Sequence, residues 1–317
     1  MKNVMRNAAV YVIDEKGYEL AQHAATSLIL TQSAFQDIHV FCHNFSPSPS
    51  NRLVEVGRQR GVRVHIEPID HSHSVINQGQ ITKTHFLKVE AVDRIAHAYD
   101  RILYVDHDIL FFEELFLENI NLEGLPVGAV YDIAETGCLT NPDFIKDCLH
   151  KKRSPHYFNS GFMLFDASKW NHEFTAYFLQ FATEHQLSCD YKQNCKLNDQ
   201  CSFNRLFENN WKRLPLNFNV QGCAKFTDRW NRAPVRHYQG PSKFLPVRPW
   251  RNDARDVRLI RGIREALGYK DEWYLSSRIL FGLNAFKRRT WIKKVNKAMD
   301  VVELMACQPM PASEVWV

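Results

Sequence analysis

The strongest constraint on the fold is an alternation of two periodicities over the first hundred residues. Ala8–Ile13 (AAVYVI), Ile38–Cys42 (IHVFC), Val62–Ile66 (VRVHI) and Arg101–Val105 are short β-branched and aromatic runs. Between them lie helical patterns: Leu20–Gln32, with Leu20, Ala24, Ser27 and Leu28 on one face; Ser48–Arg60, which Gly61 stops; and Thr84–Ala98. Strand and helix in strict alternation imply right-handed crossovers and a mostly parallel, doubly wound α/β sheet. Further strands are expected at Val127–Tyr131 and Phe158–Phe165, and helices at Ser168–Gln186 and Asn198–Phe207. In the first of these helices Trp170, Phe174, Tyr177, Phe178 and Phe181 form an apolar stripe, expected to pack in the core.

Such sheets bind ligands beyond the carboxyl ends of their strands. At one such end stands ILYVDHDIL, residues 102–110, an apolar run closed by two aspartates with a histidine between them. In extended chain alternate side chains share a face, so Asp106 and Asp108 are expected to point together and His107 away. Two hard carboxylates at that spacing suit Mg²⁺ or Mn²⁺. Aspartates also favour turns and helix starts. A phosphatase with an aspartate nucleophile shows the same D-x-D pattern, but on the first strand of its core and with a second acidic cluster downstream. Here about a hundred residues precede the motif and no such cluster follows.

Composition excludes little and directs some. The 317 residues carry a net charge of +5, with 45% hydrophobic and 24% charged residues, as in an ordinary globular chain. Basic residues gather toward the C-terminal third, so nucleic acid has no special claim as a partner. No stretch has eighteen or more consecutive apolar residues and no long apolar leader is seen, so a reduced, cytoplasmic protein is expected. Cys189, Cys195 and Cys201 recur every six residues, wider than the two-to-four-residue spacing of zinc pairs, so isolated thiols are expected. Residues 71–80, HSHSVINQGQ, read as an irregular polar loop over the site. Beyond about Trp250 the character changes. Trp273, Tyr274, Phe281, Phe286 and Trp291 interleave with Lys287, Arg288, Arg289, Lys293, Lys294 and Lys297, a pattern open both to a membrane-surface helix and to one packed on the main domain. Two units are expected, residues 1–250 as the main domain that carries the D-x-D and 251–317 as a helical appendage.

HYFNSGFMLFD (156–166), NDQCSFNRLF (198–207) and VRHYQGPSKF (235–244) stand in order behind the D-x-D. Together the four stretches resemble the family-8 glycosyltransferases, over roughly residues 8 to 250. The resemblance implies a glycosyltransferase-A fold, retention of anomeric configuration, and a UDP-sugar donor, UDP-glucose or UDP-galactose first. It also implies Mn²⁺ (or Mg²⁺) held by Asp106, Asp108 and His237. Gly240 and Lys243 match the phosphate-facing part of the last motif, and Lys88 a basic residue facing the diphosphate. Asn159 and Ser160 match the F-N-S-G run near the donor sugar, where Gly161 is expected to reflect close packing. Asp132 matches an aspartate near that sugar. Asp199 and Gln200 match a D-Q pair beside the anomeric carbon, although Asp199 also reads as a helix N-cap. Asp14 and Glu15 loosely match an acidic pair that contacts base and ribose. The chain departs from the pattern at IDEKG, at Cys201 after the D-Q pair, and at Lys243-Phe244-Leu245-Pro246. The basic, aromatic tail points to a lipid-linked or envelope glycan as acceptor, such as lipopolysaccharide core, with a soluble sugar or protein as the competing acceptor. A non-catalytic nucleotide-sugar-binding protein on the same fold is the alternative reading.

Overall fold

The computed structural model describes residues 5–31, 34–47, 51–70, 85–189, 198–240, 243–270 and 278–310. In chain order the elements are β1 (Asn7–Ile13), α1 (Tyr18–Thr31), β2 (Asp37–Cys42), α2 (Arg52–Gln59), β3 (Arg63–Pro68), α3 (Leu87–Ala96), β4 (Arg101–Val105), β5 (Ile109–Phe111) and β6 (Val127–Tyr131). Then come α4 (Ile133–Thr136), α5 (Phe144–His150), β7 (Phe158–Asp166), α6 (His172–Ser188), α7 (Asn198–Leu206), β8 (Lys212–Arg213) and β9 (Val220–Gln221). The last are α8 (Asp228–Arg232), β10 (Val235–His237), α9 (Ala254–Ala266), α10 (Arg278–Lys287) and α11 (Arg289–Cys307). Every strand and helix expected from periodicity is present, with ends moved by a few residues. Caps explain several of the shifts: Asn51 accepts from the Leu53 N–H and starts α2, and Asn171 accepts from the Phe174 N–H and starts α6. Most of the aromatic stripe on α6 is core, but Tyr177 is 51% exposed. The polar loop expected at 71–80 lies outside the described residues, as do Cys195, Trp273 and Tyr274.

The main sheet runs β3-β2-β1-β4-β7-β6-β8. Its left half is parallel, and β7 enters antiparallel between β4 and β6. This reversal sets the start of β7 beside the end of β4: Val105 faces Phe162, and the Asp106 N–H donates to the Gly161 carbonyl at 2.8 Å. On its other side β7 slips against β6, from Ala129↔Met163 to Val130↔Asn159. Ser160 and Gly161 therefore face no β6 partner, the kind of irregularity that frees polar side chains for a site.

A second, small sheet, β5-β10-β9, was not foreseen, because strands of two or three residues carry no readable period. Behind it Arg236 is fully buried. Its guanidinium donates to Asp253 at 2.8 Å and Asp256 at 2.5 Å and to the carbonyls of Trp230 and Asn231. Asp253 and Asp256 also form the capping box of α9, so one ionic cluster starts that helix and ties it to β10. Apolar residues of α9 and α11 (Ile260, Ile263, Val295, Met299) join one core cluster with β1, α1 and β5, so the core runs on past residue 250. The basic, aromatic stretch forms two helices. α11 buries Val295, Ala298, Met299, Val302 and Met305, whereas no residue of α10 is buried.

Lys225 lies in the same region. Its ammonium has no hydrogen-bond partner and stands over the rings of Trp230 and Tyr238, at 5.8 and 5.4 Å. Burial pushes its pKa down from 10.5 to about 8. The unfolded chain holds that proton more tightly, so the charge penalises the fold below the lowered pKa, and the penalty fades as pH rises from about 8 to about 10.5. Lys225→Met is therefore expected to be more stable than the native chain at neutral pH, by up to about 3 kcal/mol. Denaturant melts over that pH range should show the difference closing; a constant difference would exclude the charge as its source.

Candidate active site

The D-x-D does not converge by strand alternation. β4 ends at Val105, and Asp106, His107 and Asp108 form a turn into β5. β5 pairs antiparallel with β10, Ile109 opposite His237, and the Tyr238 N–H donates to the Asp108 carbonyl at 2.9 Å. This pairing delivers His237 to the turn. Its Nε2 lies 3.2 Å from Asp108 Oδ1 and 3.8 Å from Asp106 Oδ2. One ligand atom from each of Asp106, Asp108 and His237 falls within 4.8 Å of the others. Lys243 also pairs with Asp108, which is only 3% exposed. Burial alone would raise the Asp108 pKa, but His237, His107 and Lys243 outweigh it and hold the carboxyl well below the usual range.

A chain of amides fixes the tautomer of His237. The Gly161 N–H can only donate, and it donates to Asn159 Oδ1 at 3.1 Å, which identifies that atom as the oxygen. Asn219 Nδ2 donates to the same oxygen at 2.9 Å. Asn219 Oδ1 is then left to accept from His237 Nδ1–H, 3.1 Å away. Nε2 is therefore the nitrogen that faces the two carboxylates. Three electron donors facing one another fit a divalent cation, with Asn219 as the outer partner that orients the imidazole. Gly161 is required here for space: a Cβ would stand 2.5 Å from His237 Cε1 and 2.7 Å from Asp106 Oδ2.

Beside this group lies a second, wholly buried one. Lys88 Nζ donates to Asp199 Oδ2 at 2.8 Å and stands 3.9 Å from Asp106 Oδ1. Burial would discharge both partners, but each is held ionised by the other: the Lys88 pKa is raised, and that of Asp199 lowered with help from His85. Ser160 Oγ donates to Asp199 at 3.2 Å. Gln200 Oε1 accepts from Asn159 Nδ2 at 3.1 Å and from the Ser160 N–H at 3.2 Å, while its Nε2 donates to Asp132 Oδ2 at 3.1 Å. Asp132 also caps α4, its Oδ1 accepting from the Ala134 and Glu135 N–H groups. Asp199 lies inside the first turn of α7 with its carboxylate turned to Lys88, so the pairing, and not a cap, accounts for it.

The expected site residues thus fall into one region, with differing degrees of contact. Asp106, Asp108, His237 and Lys243 form one cluster; Lys88, Asp132, Asn159, Ser160, Asp199 and Gln200 form the other, joined through Gly161 and Asn159. Asp14, at the end of β1, uses its carboxylate to cap the turn at Glu15–Gly17. His107 sits over that turn, a Cβ on Gly17 reaching it at 3.6 Å. Gly240 has φ +70° and open space where a Cβ would point, so its backbone conformation is what favours glycine. Asn219 and Gln239 were missed, the latter reached by Asn159 Nδ2 at 3.4 Å. Only the motif edge around His237 hinted at Gln239, and nothing in sequence marked Asn219. Asn219→Leu is expected to weaken divalent-cation binding about 10- to 100-fold. Asn219→Asp, which keeps an acceptor for His237, should retain most of it; calorimetric titration with Mn²⁺ measures both.

The chain matches the model of the family described as Glycosyl transferase family 8 over residues 9–254. No curated protein sequence matches it. Among solved structures, an active-site mutant of LgtC is 19% identical with a TM-score of 0.64, over 84% of this chain and 98% of that one. The galactosyltransferase LgtC in complex with donor and acceptor sugar analogues is 18% identical with a TM-score of 0.58, over 87% and 99%. The glycosyltransferase GlyE of Streptococcus pneumoniae TIGR4 is 17% identical with a TM-score of 0.57, over 92% of this chain and 64% of that one. At such identities the likeness establishes the glycosyltransferase-A fold. The family match spans most of the sequence and all of both clusters, and on that ground the chain belongs to glycosyltransferase family 8 and is a glycosyltransferase.

Proposed function

We propose that the protein is a metal-dependent, retaining hexosyltransferase that moves glucose or galactose from a UDP-sugar to a glycan or lipid-linked acceptor. The convergence of Asp106, Asp108 and His237, 129 residues apart in sequence between Asp108 and His237, is the observation that carries this reading. Two carboxylates and one neutral imidazole would hold Mn²⁺ or Mg²⁺ and leave positions for phosphate oxygens. Bound there, the ion would offset the charge of the departing diphosphate. Lys243, now on Asp108, would turn to the same phosphates, and the open, left-handed position of Gly240 would let the backbone approach them. Asp14 would receive the nucleoside at the end of β1.

Retention leaves open whether a side chain attacks the anomeric carbon. Asp199 is ion-paired with Lys88 and accepts from Ser160, and Gln200 Oε1 already accepts twice. Both are occupied groups, which favours their holding the donor sugar in place with Asp132 and Asn159, and supports a route in which the leaving phosphate takes the acceptor proton. Release of UDP from UDP-glucose or UDP-galactose in Mn²⁺ is expected to fall at least about 100-fold in Asp106→Ala, and to stop in excess EDTA. Full turnover by that variant in EDTA would refute the metal role. A chain that binds UDP-sugar in a thermal-shift assay without ever releasing UDP would be the non-catalytic alternative.

The acceptor is proposed to be presented at an anionic membrane face, as lipopolysaccharide core is, with the protein on the cytoplasmic side. Among the described residues no helix is long and apolar enough to cross a membrane. α10 instead leaves Ile279, Leu283 and Phe286 exposed at 74%, 53% and 64%, beside Lys287, Arg288 and Arg289. Apolar groups flanked by cations suit the headgroup boundary. The doubly substituted Leu283→Glu, Phe286→Glu protein is expected to lose flotation with anionic vesicles while keeping UDP release on a soluble acceptor. Unchanged flotation would remove α10 from the reading.

A further inference from the structure

On the other side of β1 from β4, the parallel pair β2–β3 carries a second set of converging electron donors. His39 faces His65 across the pair, and Glu67 follows on the same face of β3. The imidazoles stack at 4.4 Å with 11° between planes. His39 is 6% exposed, yet its Nδ1 has no hydrogen-bond partner; the nearest acidic atom, Glu67 Oε1, is 3.6 Å away.

The surroundings engage one nitrogen of each ring. Asp37 is anchored by two bonds from Arg63, at 2.7 and 2.6 Å. It accepts from His65 Nε2–H at 2.8 Å. His39 Nε2 in turn is paired with the Tyr99 hydroxyl, 3.0 Å away. In both rings Nε2 is thus engaged, and Nδ1 is the nitrogen left for a further partner. Two imidazoles and a carboxylate, with ligand atoms within 4.8 Å of one another, are a donor set that one cation can share. Their outer nitrogens are already held by a carboxylate and a phenol, the support that metal-binding histidines receive.

We propose that His39, His65 and Glu67 form a binding site for a borderline transition-metal ion, Zn²⁺ by donor type, separate from the active centre. Two nitrogens and one carboxylate select against Mg²⁺ and for zinc, and leave a fourth position open to water. Lone pairs lie in the ring plane, so one ion cannot serve two stacked rings as they stand. His65, on the edge strand with its side chain 38% exposed, is the ring that tilts out to bind, and Glu67, at 42%, follows. The ion would cross-link β2 to the edge strand and, through Tyr99, to the turn after α3, the helix that carries Lys88.

The test is Zn²⁺ titration by calorimetry, with X-ray absorption at the zinc edge, on the full chain in an Asp106→Ala background that disables the active centre. One zinc equivalent with nitrogen and oxygen ligands is expected, and its affinity should fall about tenfold or more in His65→Ala and in Glu67→Gln. Both substitutions are at half-exposed positions, so the fold should survive, and neither should alter UDP release in the otherwise native chain. Absence of a zinc equivalent in the Asp106→Ala chain would overturn the proposal. So would affinity unchanged by both substitutions.

Discussion

The pairing of β5 with β10 is the contact on which the site depends. Only three residues long on each side, it closes a loop of more than a hundred residues and sets His237 against the D-x-D turn. Closing a loop of that size is entropically expensive, and a three-residue ladder alone is a weak clasp. The buried ionic cluster behind it compensates. Arg236 is held by Asp253, Asp256 and two carbonyls and lies 4.4 Å over the ring of Phe112, one residue beyond β5. Breaking such a group by removing one partner leaves a buried charge uncompensated, so the clasp holds only as a whole.

The reversed strand β7 is the second constraint. Had it run parallel, its beginning would stand at the opposite end of the sheet from Asp106. Running antiparallel, it puts Asn159, Ser160 and Gly161 next to the D-x-D, with the Asn159 side chain turned to Asp132 and Gln200 and that of Ser160 to Asp199. Polar groups buried in this way are costly unless satisfied. Here nearly every donor finds an acceptor, and the direction of each amide follows from one backbone N–H, that of Gly161. Rigidity of the site is thus a by-product of satisfying its hydrogen bonds.

These dependencies explain what could be read in the sequence. The strands and helices expected from their period were all present, whereas the short helices α5 and α8 left no readable period. The D-x-D, the F-N-S-G run, the D-Q pair and His237 were legible as motifs, and Gly161 as a packing glycine. The route by which they meet was not. The aspartates were expected to align along a strand, but they converge in a turn, because β5 and β10 are too short to leave a pattern. The partnership of Lys88 with Asp199 was also hidden, since a residue pair 111 positions apart leaves no local trace. Asn219 lies in an unremarkable stretch between a short helical turn and a two-residue strand, and only the amide directions reveal its part.

The two ends of the main sheet have a consequence for how the protein behaves in solution. An unpaired strand edge is a template on which another copy can add. β8 closes one end with only two residues, Lys212 and Arg213, too short and too charged to recruit a neighbour. β3 closes the other with Arg63 at its start, Glu67 and Pro68 at its end, and partly buried Val64, His65 and Ile66 between. Among the described residues the main sheet thus ends in a two-residue basic strand on one side and a strand bounded by charges and a proline on the other, both poor templates for strand addition.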